Sequence, residues 1–465
     1  MYIVGQERRL VDPPSQVVAG VRTVTTKNEW ARRTPTLSRP FALFGWTRRF
    51  VLSLEIKIPT FSTCYNPGKS LLTRRATAKE LGIQLQSLRV RLKRQQLNYQ
   101  IHIGRDLRRD AGEILRSTLG QNARRIAVIS DQHVFSLYGP EVIQSLRRSG
   151  FTLRHWLMSH GERFKTFRSL EKAVLFLAEN DLQRTDGVIG LGGGVVGDLA
   201  GFAAAVYLRG IALVQMPTTL LAQIDSSVGG KTGINLPVGK NMTGAFHQPS
   251  SVVIDTQTLT TLPSRELVAG FCEAVKQATI ANRKLFNQTV RVLKAVRSDR
   301  GALVSREMEN MIASQCKFKA SVVAADERES TDRSDRRSRK ILNFGHTTAH
   351  ALENVTSYKR FRHGEAVGYG MLVAGHLSKS LGLLDAAGLE SLQEAVRLCG
   401  PLPRANDLDQ RKIIAALSHD KKNIASQIKW VLLEGIGRPL IVSGEEISPR
   451  VLKLSLTEGL RNTKE

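Results

Sequence analysis

The order of hydrophobic patterns along the chain constrains its fold more than any other feature. Up to about residue 191, strand-like segments such as 125–130 and 187–191 alternate with helix-like segments such as 134–148 and 170–180. This alternation predicts a parallel sheet flanked by helices. After about residue 263, one helical pattern follows another and strand patterns almost disappear. The sequence therefore predicts an α/β domain followed by a mostly α-helical domain, with ligands bound in the cleft between them.

The same patterns divide the chain into three parts. Residues 1–87 carry no sustained period and scatter prolines among Arg and Thr, so we expect a basic N-terminal extension that is disordered or a leader. An organelle transit peptide and a start site further downstream are the alternatives. Residues 88–264 are expected to form the α/β domain and residues 265–465 the helical domain. Further strands are predicted at 99–104 and 151–157, and further helices at 106–119, 266–281, 283–296, 303–325 and 349–379.

The charge of the chain narrows the class of ligand. The formal net charge of +27 is compatible with a nucleic-acid partner. The first hundred residues hold 18 basic and five acidic residues, so about half of the excess belongs to the extension. We therefore expect no nucleic-acid partner and interpret the remaining cations as ligands for a small polyanion. RNA binding through the basic extension is the alternative.

The cysteine content bears on compartment and metal chemistry. Cys64, Cys272, Cys316 and Cys399 are far apart and form no CxxC pair, which argues against a thiolate zinc site and favours a reducing compartment. We expect the cytoplasm, or an organelle if the extension is a transit peptide. No apolar stretch approaches the ~20 residues that cross a bilayer, so no membrane partner is expected. A transition metal would have to be held by histidine and carboxylate side chains.

A glycine-rich segment follows the last predicted strand. Residues 190–198 read GLGGGVVGD and lead into a helix of small residues at 199–205. Backbone N–H groups at such a turn can approach a pyrophosphate, and the helix N-terminus favours negative charge. The segment predicts a dinucleotide or phosphate site, although it differs from the GxGxxG fingerprint and could be a purely geometric turn.

Two histidines in the helical half suggest a metal site. His346 and His350 are four residues apart on a predicted helix, which places both imidazoles on one face for joint zinc binding.

Several further motifs carry a family resemblance. They are residues 190–210, 217–220, 223–235 and 239–241 in the first half, and 270–276 (GFCEAVK), 342–350 (LNFGHTTAH), 363–367 (HGEAV) and 420–422 (DKK) in the second. From about residue 90 to the C-terminus, the chain resembles the 3-dehydroquinate synthases of the sugar-phosphate cyclase superfamily. The resemblance implies an atypical Rossmann-like NAD-binding domain and a helical domain that holds zinc or cobalt.

The resemblance also implies site residues. The metal ligands would be Glu273, His346 and His363, with His350 turned to substrate. The cofactor-binding residues would be Asp131, Glu162, Lys165, Gly193, Gly194, Val195, Asp198, Thr218, Thr219, Lys240, Thr258 and Thr261, although a Thr after Pro can simply cap a helix. The substrate-handling residues would be Lys231, Asn241, Arg339, Asn343, His350, Lys319, Asp225, Arg209, Lys276, Lys421, Lys422 and Glu329. Asp335 is the alternative to Glu329, because the connection that contains both is longer than is usual in the family.

The reaction implied by the resemblance belongs to the shikimate pathway. Its sugar-phosphate substrate is 3-deoxy-D-arabino-heptulosonate 7-phosphate. NAD oxidises the substrate, phosphate is eliminated, and the hydride then returns from NADH. The sugar ring opens, and an intramolecular aldol step closes the product, 3-dehydroquinate. The residue that matches Arg209 reaches into a neighbouring subunit, so a homodimer is implied. The alternatives are a related cyclase, of the 2-deoxy-scyllo-inosose or 2-epi-5-epi-valiolone synthase type, and a polyol or glycerol-phosphate dehydrogenase.

Overall fold

Ten strands and twelve α-helices form in the part of the chain that the computed structural model describes, which is residues 98–330, 333–419 and 428–461. The predicted extension, residues 1–87, lies outside this part. The strands are β1 (Gln100–Gly104), β2 (Arg125–Asp131), β3 (Thr152–Met158), β4 (Gly187–Gly192), β5 (Ala212–Pro217), β6 (Lys231–Leu236), β7 (Gly239–Phe246), β8 (Ser251–Asp255), β9 (Lys429–Leu433) and β10 (Pro439–Ser443). The helices are α1 (Ala111–Leu119), α2 (Gln132–Arg148), α3 (Phe167–Glu179), α4 (Gly194–Val206), α5 (Ser264–Ala281), α6 (Arg283–Ser298), α7 (Arg306–Ala325), α8 (His346–Val355), α9 (His363–Ser380), α10 (Ala386–Cys399), α11 (Gln410–His419) and α12 (Pro449–Gly459).

A parallel six-stranded sheet organises the first half. Its strand order is β1-β8-β5-β4-β2-β3, and every neighbouring pair is parallel. The central strands are buried along nearly their whole length, because helices cover both faces and leave no polar side to the sheet. The predicted α/β class is confirmed.

The chain changes direction within this sheet between β2 and β4. From β2 the chain moves to β3 on one side, through α2, whereas from β4 it moves to β5 on the other side, through α4. Helices α1 and α2 pack on one face of the sheet, and α3 and α4 on the other. The carboxyl ends of β2 and β4 therefore border a crevice, which is where open α/β sheets bind ligands.

The second half is mostly helical, as predicted. Helix α9 lies at its centre and is buried from Gly364 to Gly375, and it packs against α5, α8, α10 and α12. The largest hydrophobic core is formed by these helices, and it extends to β8 and the segment after β5. The predicted boundary at residue 264 coincides with the start of α5, and it stays a prediction.

Two expectations for the second half are wrong. The helix predicted at 349–379 is divided, because Ser357 and Tyr358 adopt left-handed backbone conformations (φ 50° and 58°) that end α8 before α9 begins at His363. No Gly or Pro marks this break, and the apolar period continues through it. The second half also contains two strands, although strand patterns almost disappear there. These strands, β9 and β10, pair as an antiparallel hairpin.

A second antiparallel hairpin was not visible in the sequence pattern. Strands β6 and β7 pair with each other and lie on α4 rather than in the main sheet. A bulge between Ile234 and Leu236 interrupts the register near the hairpin turn.

Among the helices described, none combines the length and apolar character needed to cross a bilayer.

Candidate active site

Three side chains from three different helices converge in the helical half. Glu273 lies in the middle of α5, while His346 and His363 are the first residues of α8 and α9. His363 Nε2 lies 3.3 Å from His346 Nε2 and 3.5 Å from Glu273 Oε1, and His346 Nε2 lies 3.9 Å from the same oxygen. One oxygen and two nitrogens thus face a common point, as the family resemblance implied.

Two glycines on α9 allow the helices to approach closely enough for this convergence. A Cβ at Gly364 would lie 2.0 Å from the carbonyl oxygen of Ala269 on α5, and one at Gly370 would lie 1.9 Å from that of Gly345, which precedes α8. Both positions exclude any side chain because the neighbouring group is backbone.

The donor set fits a divalent transition metal. Glu273 is fully buried, its Oε1 accepts no hydrogen bond, and its Oε2 forms an ion pair with Lys276 Nζ at 2.5 Å. Such a carboxylate oxygen, aimed at two imidazole nitrogens, matches the oxygen and nitrogen ligands that zinc and cobalt accept.

The protonation of His346 also suits ligation. Burial, followed by the charges of Lys276 and the two neighbouring imidazoles, lowers the pKa of His346 well below its usual value. Its Nδ1 lies 3.3 Å from the carbonyl oxygen of Phe344, which can only accept, so Nδ1 carries the proton and Nε2 presents its lone pair.

A second group of potential ligands shares His363. It consists of His350, Glu353 and His363. The sequence suggested that His346 and His350 bind one metal ion together. Their ring centres do lie 5.6 Å apart. Among the described residues, however, His350 groups with Glu353 and not with Glu273. His350 is exposed, as suits a side chain that contacts a ligand.

A row of buried charges continues from Glu273. Lys276 interacts with Glu273 and with Asp225, and Lys319 Nζ donates to Asp225 Oδ1 at 2.5 Å. Burial lowers the pKa of Lys319 despite Asp225. Burial opposes charge on Asp225 as well, but Lys319 and Lys276 more than reverse this effect and hold its pKa below the usual range. The carboxylates of Glu273 and Asp225 thus hold the ammonium groups of Lys276 and Lys319 next to one another.

Further cations border this row. Arg339 is buried, donates to the backbone oxygens of Glu327 and Gly229, and contributes to the lowered pKa of Lys319. Lys231 is half exposed and forms an ion pair with Glu329. Asp335 instead pairs with Arg333 at the surface, an arrangement that favours Glu329 as the family's acidic residue. Asn343 is exposed.

The glycine turn lies at the carboxyl edge of the sheet. Gly193 precedes α4, and no side chain caps this helix, so the N–H groups of its first turn are open to a ligand. Thr218 N donates to Gly192 O at 3.0 Å, and a Cβ at Gly193 would lie 3.0 Å from Thr219 Cγ2. The segment after β5 thus borders the turn. Thr219 also caps its own helical turn, because its Oγ1 accepts from Ala222 N.

Three residues predicted to bind the cofactor meet at one buried ammonium. Lys165 Nζ lies 2.9 Å from Asp198 Oδ2 and 3.3 Å from Glu162 Oε1. It also donates to Asn241 Oδ1 at 2.6 Å, which brings a predicted substrate residue to the same group. Burial opposes this charge, but Asp198 and Glu162 raise the pKa of Lys165.

Other predicted residues have local structural partners. Asp131 caps α2 by accepting from His133 N and Val134 N. Thr258 Oγ1 donates to Asp255 O and accepts from Gln223 Nε2, while Thr261 contacts the Tyr138 hydroxyl. Val195 lies half-buried in the first turn of α4. Lys421 and Lys422 lie outside the described residues.

Arg209 lies apart from the glycine turn of its own chain. It is exposed and follows the C-terminal end of α4, whose 13 residues begin at that turn. A helix of this length spans about 20 Å. Arg209 therefore lies at the opposite edge of the sheet from the turn.

Glu353 was not predicted from the sequence. This residue is buried and forms an ion pair with Lys240 Nζ at 3.0 Å, and His363 Nδ1 lies 3.3 Å from its second oxygen. Burial disfavours its ionisation, but the His363 hydrogen bond and the charge of Lys240 lower the pKa of Glu353 to about 2. The seven-residue spacing from His346, which places both on one helix face, was the available signal.

Comparison with known proteins agrees with this geometry. Residues 155–269 match the family 3-dehydroquinate synthase N-terminal, and residues 270–423 match 3-dehydroquinate synthase C-terminal. A 3-dehydroquinate synthase from Nostoc sp. (strain PCC 7120) is 42% identical over 316 residues, which is 68% of this chain and 85% of the relative.

Solved structures of related cyclases share the fold. The 2-epi-5-epi-valiolone synthase ValA from Streptomyces hygroscopicus subsp. jinggangensis, with NAD+ and Zn2+ bound, superposes with a TM-score of 0.69 at 26% identity, over 79% of this chain and 98% of that one. A 2-deoxy-scyllo-inosose synthase complexed with carbaglucose-6-phosphate, NAD+ and Co2+ gives 0.66 at 25% identity, over 77% and 96%. Since sequence identity is much higher to the Nostoc relative than to either cyclase, this chain belongs to the 3-dehydroquinate synthase family.

Proposed function

We propose that this protein converts 3-deoxy-D-arabino-heptulosonate 7-phosphate to 3-dehydroquinate and phosphate, as a phosphate-eliminating carbon–oxygen lyase. The observation that carries the proposal is the convergence of Glu273 Oε1 with the Nε2 atoms of His346 and His363, next to a row of buried cations. The family membership of the chain supplies the reaction.

Two bound groups would complete the site. Glu273, His346 and His363 would hold a zinc or cobalt ion, which supplies Lewis-acid polarisation of a substrate hydroxyl when bound. The turn at Gly193 and the first N–H groups of α4 would hold the pyrophosphate of NAD, which supplies a hydride acceptor that is restored within each cycle. The related cyclases with bound NAD+ and Zn2+ or Co2+ support both assignments.

The cations of the chain account for recognition of a polyanion. A substrate with one phosphate and one carboxylate needs several positive donors, and Lys231, Lys319 and Arg339 are held near one another by the contacts described above. Asp225 fixes Lys319 and leaves acceptor capacity for a substrate hydroxyl. Because the leaving phosphate can itself accept the substrate proton, these residues need to position the substrate rather than act as a strong base.

A homodimer forms part of the proposal. Arg209 lies about 20 Å from the glycine turn along α4, so it cannot serve that turn within one chain. Leu208 and Arg209 both adopt left-handed backbone conformations (φ 48° and 67°), and the exposed apolar residues Val206 and Leu208 precede the arginine. A strained turn that presents an arginine directly after exposed apolar residues suits insertion into a second subunit.

The decisive experiment is a turnover assay on the purified protein with NAD, zinc and the heptulosonate phosphate. We expect stoichiometric release of phosphate and 3-dehydroquinate with no net NADH. A sugar phosphate of similar size without a carboxylate serves as the matched control and should turn over far more slowly. Net accumulation of NADH would instead identify a dehydrogenase, and preference for the control sugar would identify one of the other cyclases.

A further inference from the structure

We propose that Glu353 is a positioning residue, which fixes the ring of His363 for metal binding while Lys240 holds the glutamate in place. The inference rests on the metal site of the proposed function and goes beyond it, because Glu353 lies outside the group formed by Glu273, His346 and His363. Its role would be to determine which nitrogen of His363 carries the proton and where the ring points.

The hydrogen bonds of His363 define this role. Its Nδ1 lies 3.3 Å from Glu353 Oε2, whereas its Nε2 faces His346 and Glu273. A carboxylate can only accept, so Nδ1 must donate and Nε2 is left with a free lone pair directed at the ligand point. Ligand histidines in metal sites commonly have such a carboxylate on the second ring nitrogen.

His346 differs from His363 in how its ring is held. The Nδ1 partner of His346 is the carbonyl oxygen of Phe344, two residues away on the same segment. The partner of His363 comes from the preceding helix α8, so Glu353 also fixes the first turn of α9 relative to α8. His363 therefore depends on a side chain that can be changed by mutation, and His346 does not.

Lys240 explains why Glu353 supports a ligand instead of binding an ion itself. Its ammonium group lies 3.0 Å from Glu353 Oε1 and 4.5 Å from the centre of the Tyr358 ring. A second cation among His350, Glu353 and His363 would lie next to this fixed positive charge and would be repelled. The ion pair engages Oε1, and Oε2 faces His363 Nδ1.

The test measures metal binding directly. Full-length protein with NAD is freed of metal by dialysis against a chelator, and Co²⁺ is added back while the cobalt absorption bands and a chelator competition are followed. We expect one cobalt ion per chain in the wild type. In Glu353→Ala the affinity should fall by about 10- to 100-fold, the range typical of lost partners of metal ligands. In Glu353→Gln the fall should be smaller, because the amide oxygen still accepts from Nδ1.

Glu365→Gln is the matched control. Glu365 is an equally buried glutamate close to His363, but it pairs with Arg265 and caps the start of α9 without contacting either imidazole. This variant should lower the melting temperature and leave the cobalt affinity near that of the wild type.

Four outcomes would overturn the inference. Equal loss of cobalt affinity in Glu353→Ala and Glu365→Gln would reduce Glu353 to a structural role. Binding of two cobalt ions by the wild type, with one lost in Glu353→Ala, would make Glu353 a ligand of a second site. If Glu353→Ala binds cobalt as tightly as the wild type, the role of Glu353 is refuted but the metal site is not. If the wild type binds no cobalt, both the role of Glu353 and the proposed metal site are refuted.

Discussion

Replacement of Gly364 by alanine should damage the fold and the metal site together. The new Cβ would lie 2.0 Å from the carbonyl oxygen of Ala269. An ordinary contact requires about 3.5 Å, so α9 and α5 must separate by about 1.5 Å. Overpacking costs about 1–3 kcal/mol in typical cores. Because a backbone oxygen cannot rotate away, we expect a loss of at least about 3 kcal/mol in the free energy of unfolding.

The same displacement acts on the ligands. His363 is the residue before Gly364 on α9, and Glu273 is four residues after Ala269 on α5. A shift of more than about 1 Å between these helices should lower catalytic activity by roughly 100-fold, the effect expected for a misplacement of this size. Urea unfolding measures the loss of stability, and the turnover assay together with a cobalt titration measures the effect on the site.

Gly375→Ala provides the comparison within the same helix. There the new Cβ would lie 2.9 Å from Leu389 Cδ1 and Leu392 Cδ2, which are ends of side chains that can rotate. Alanine also has a higher helix propensity than glycine, by up to about 1 kcal/mol. We expect near-normal stability and metal binding in this variant. If Gly364→Ala leaves both the free energy of unfolding and the cobalt affinity unchanged, α9 and α5 do not depend on close packing at Gly364.

The other predictions concern the metal, the buried charges and the nucleotide. His346→Ala, or a strong chelator, should abolish phosphate release, and unchanged release in either case would remove the metal from the reaction. Lys319→Met should raise the pKa of Asp225. The ionised Asp225 stabilises the fold above its unfolded pKa of about 3.9, and this contribution is lost as the pH falls through the lower folded pKa. The variant should therefore lose stability at a higher pH than the wild type. Urea titrations between about pH 2 and 6 measure this difference. Lys165→Met should weaken NAD binding in calorimetry, because it leaves Asp198 and Glu162 without their shared cation next to the glycine turn. An unaltered NAD affinity would contradict a nucleotide site at these residues.

The part of the fold that was predictable depends on repeated local patterns. Buried strands such as β2 and β4 are continuous apolar runs, and helices such as α5 and α6 have apolar periods over many residues, so both were found. The break at Ser357 and Tyr358 was not found, because their left-handed conformations depend on tertiary packing rather than on glycine or proline. The hairpin of β6 and β7 was missed for a similar reason, since it lies on α4 and has no simple alternation of its own.

The candidate site shows the same division between local and distant information. The glycine turn is a local signal and could be read from residues 190–198. The three proposed metal ligands lie on three helices, and Glu273 and His346 are 73 positions apart in the sequence. Only the family resemblance brought them together. The spacing of His346 and His350 alone would have given a different ligand pair. Glu353 was missed because its importance arises from contacts with His363 and Lys240 that no single segment displays.

The hairpin that the sequence did not predict connects the two halves of the site. Lys240 and Asn241 are consecutive residues of β7, yet Lys240 binds Glu353 on the metal side and Asn241 accepts from Lys165 on the nucleotide side. Asn241 has a left-handed conformation (φ 56°), which directs its side chain away from the regular strand arrangement. A movement of β7 must therefore change contacts on both sides at once. This arrangement couples the position of Lys165 to the residues that contact His363, because Lys240 and Asn241 are consecutive in one strand.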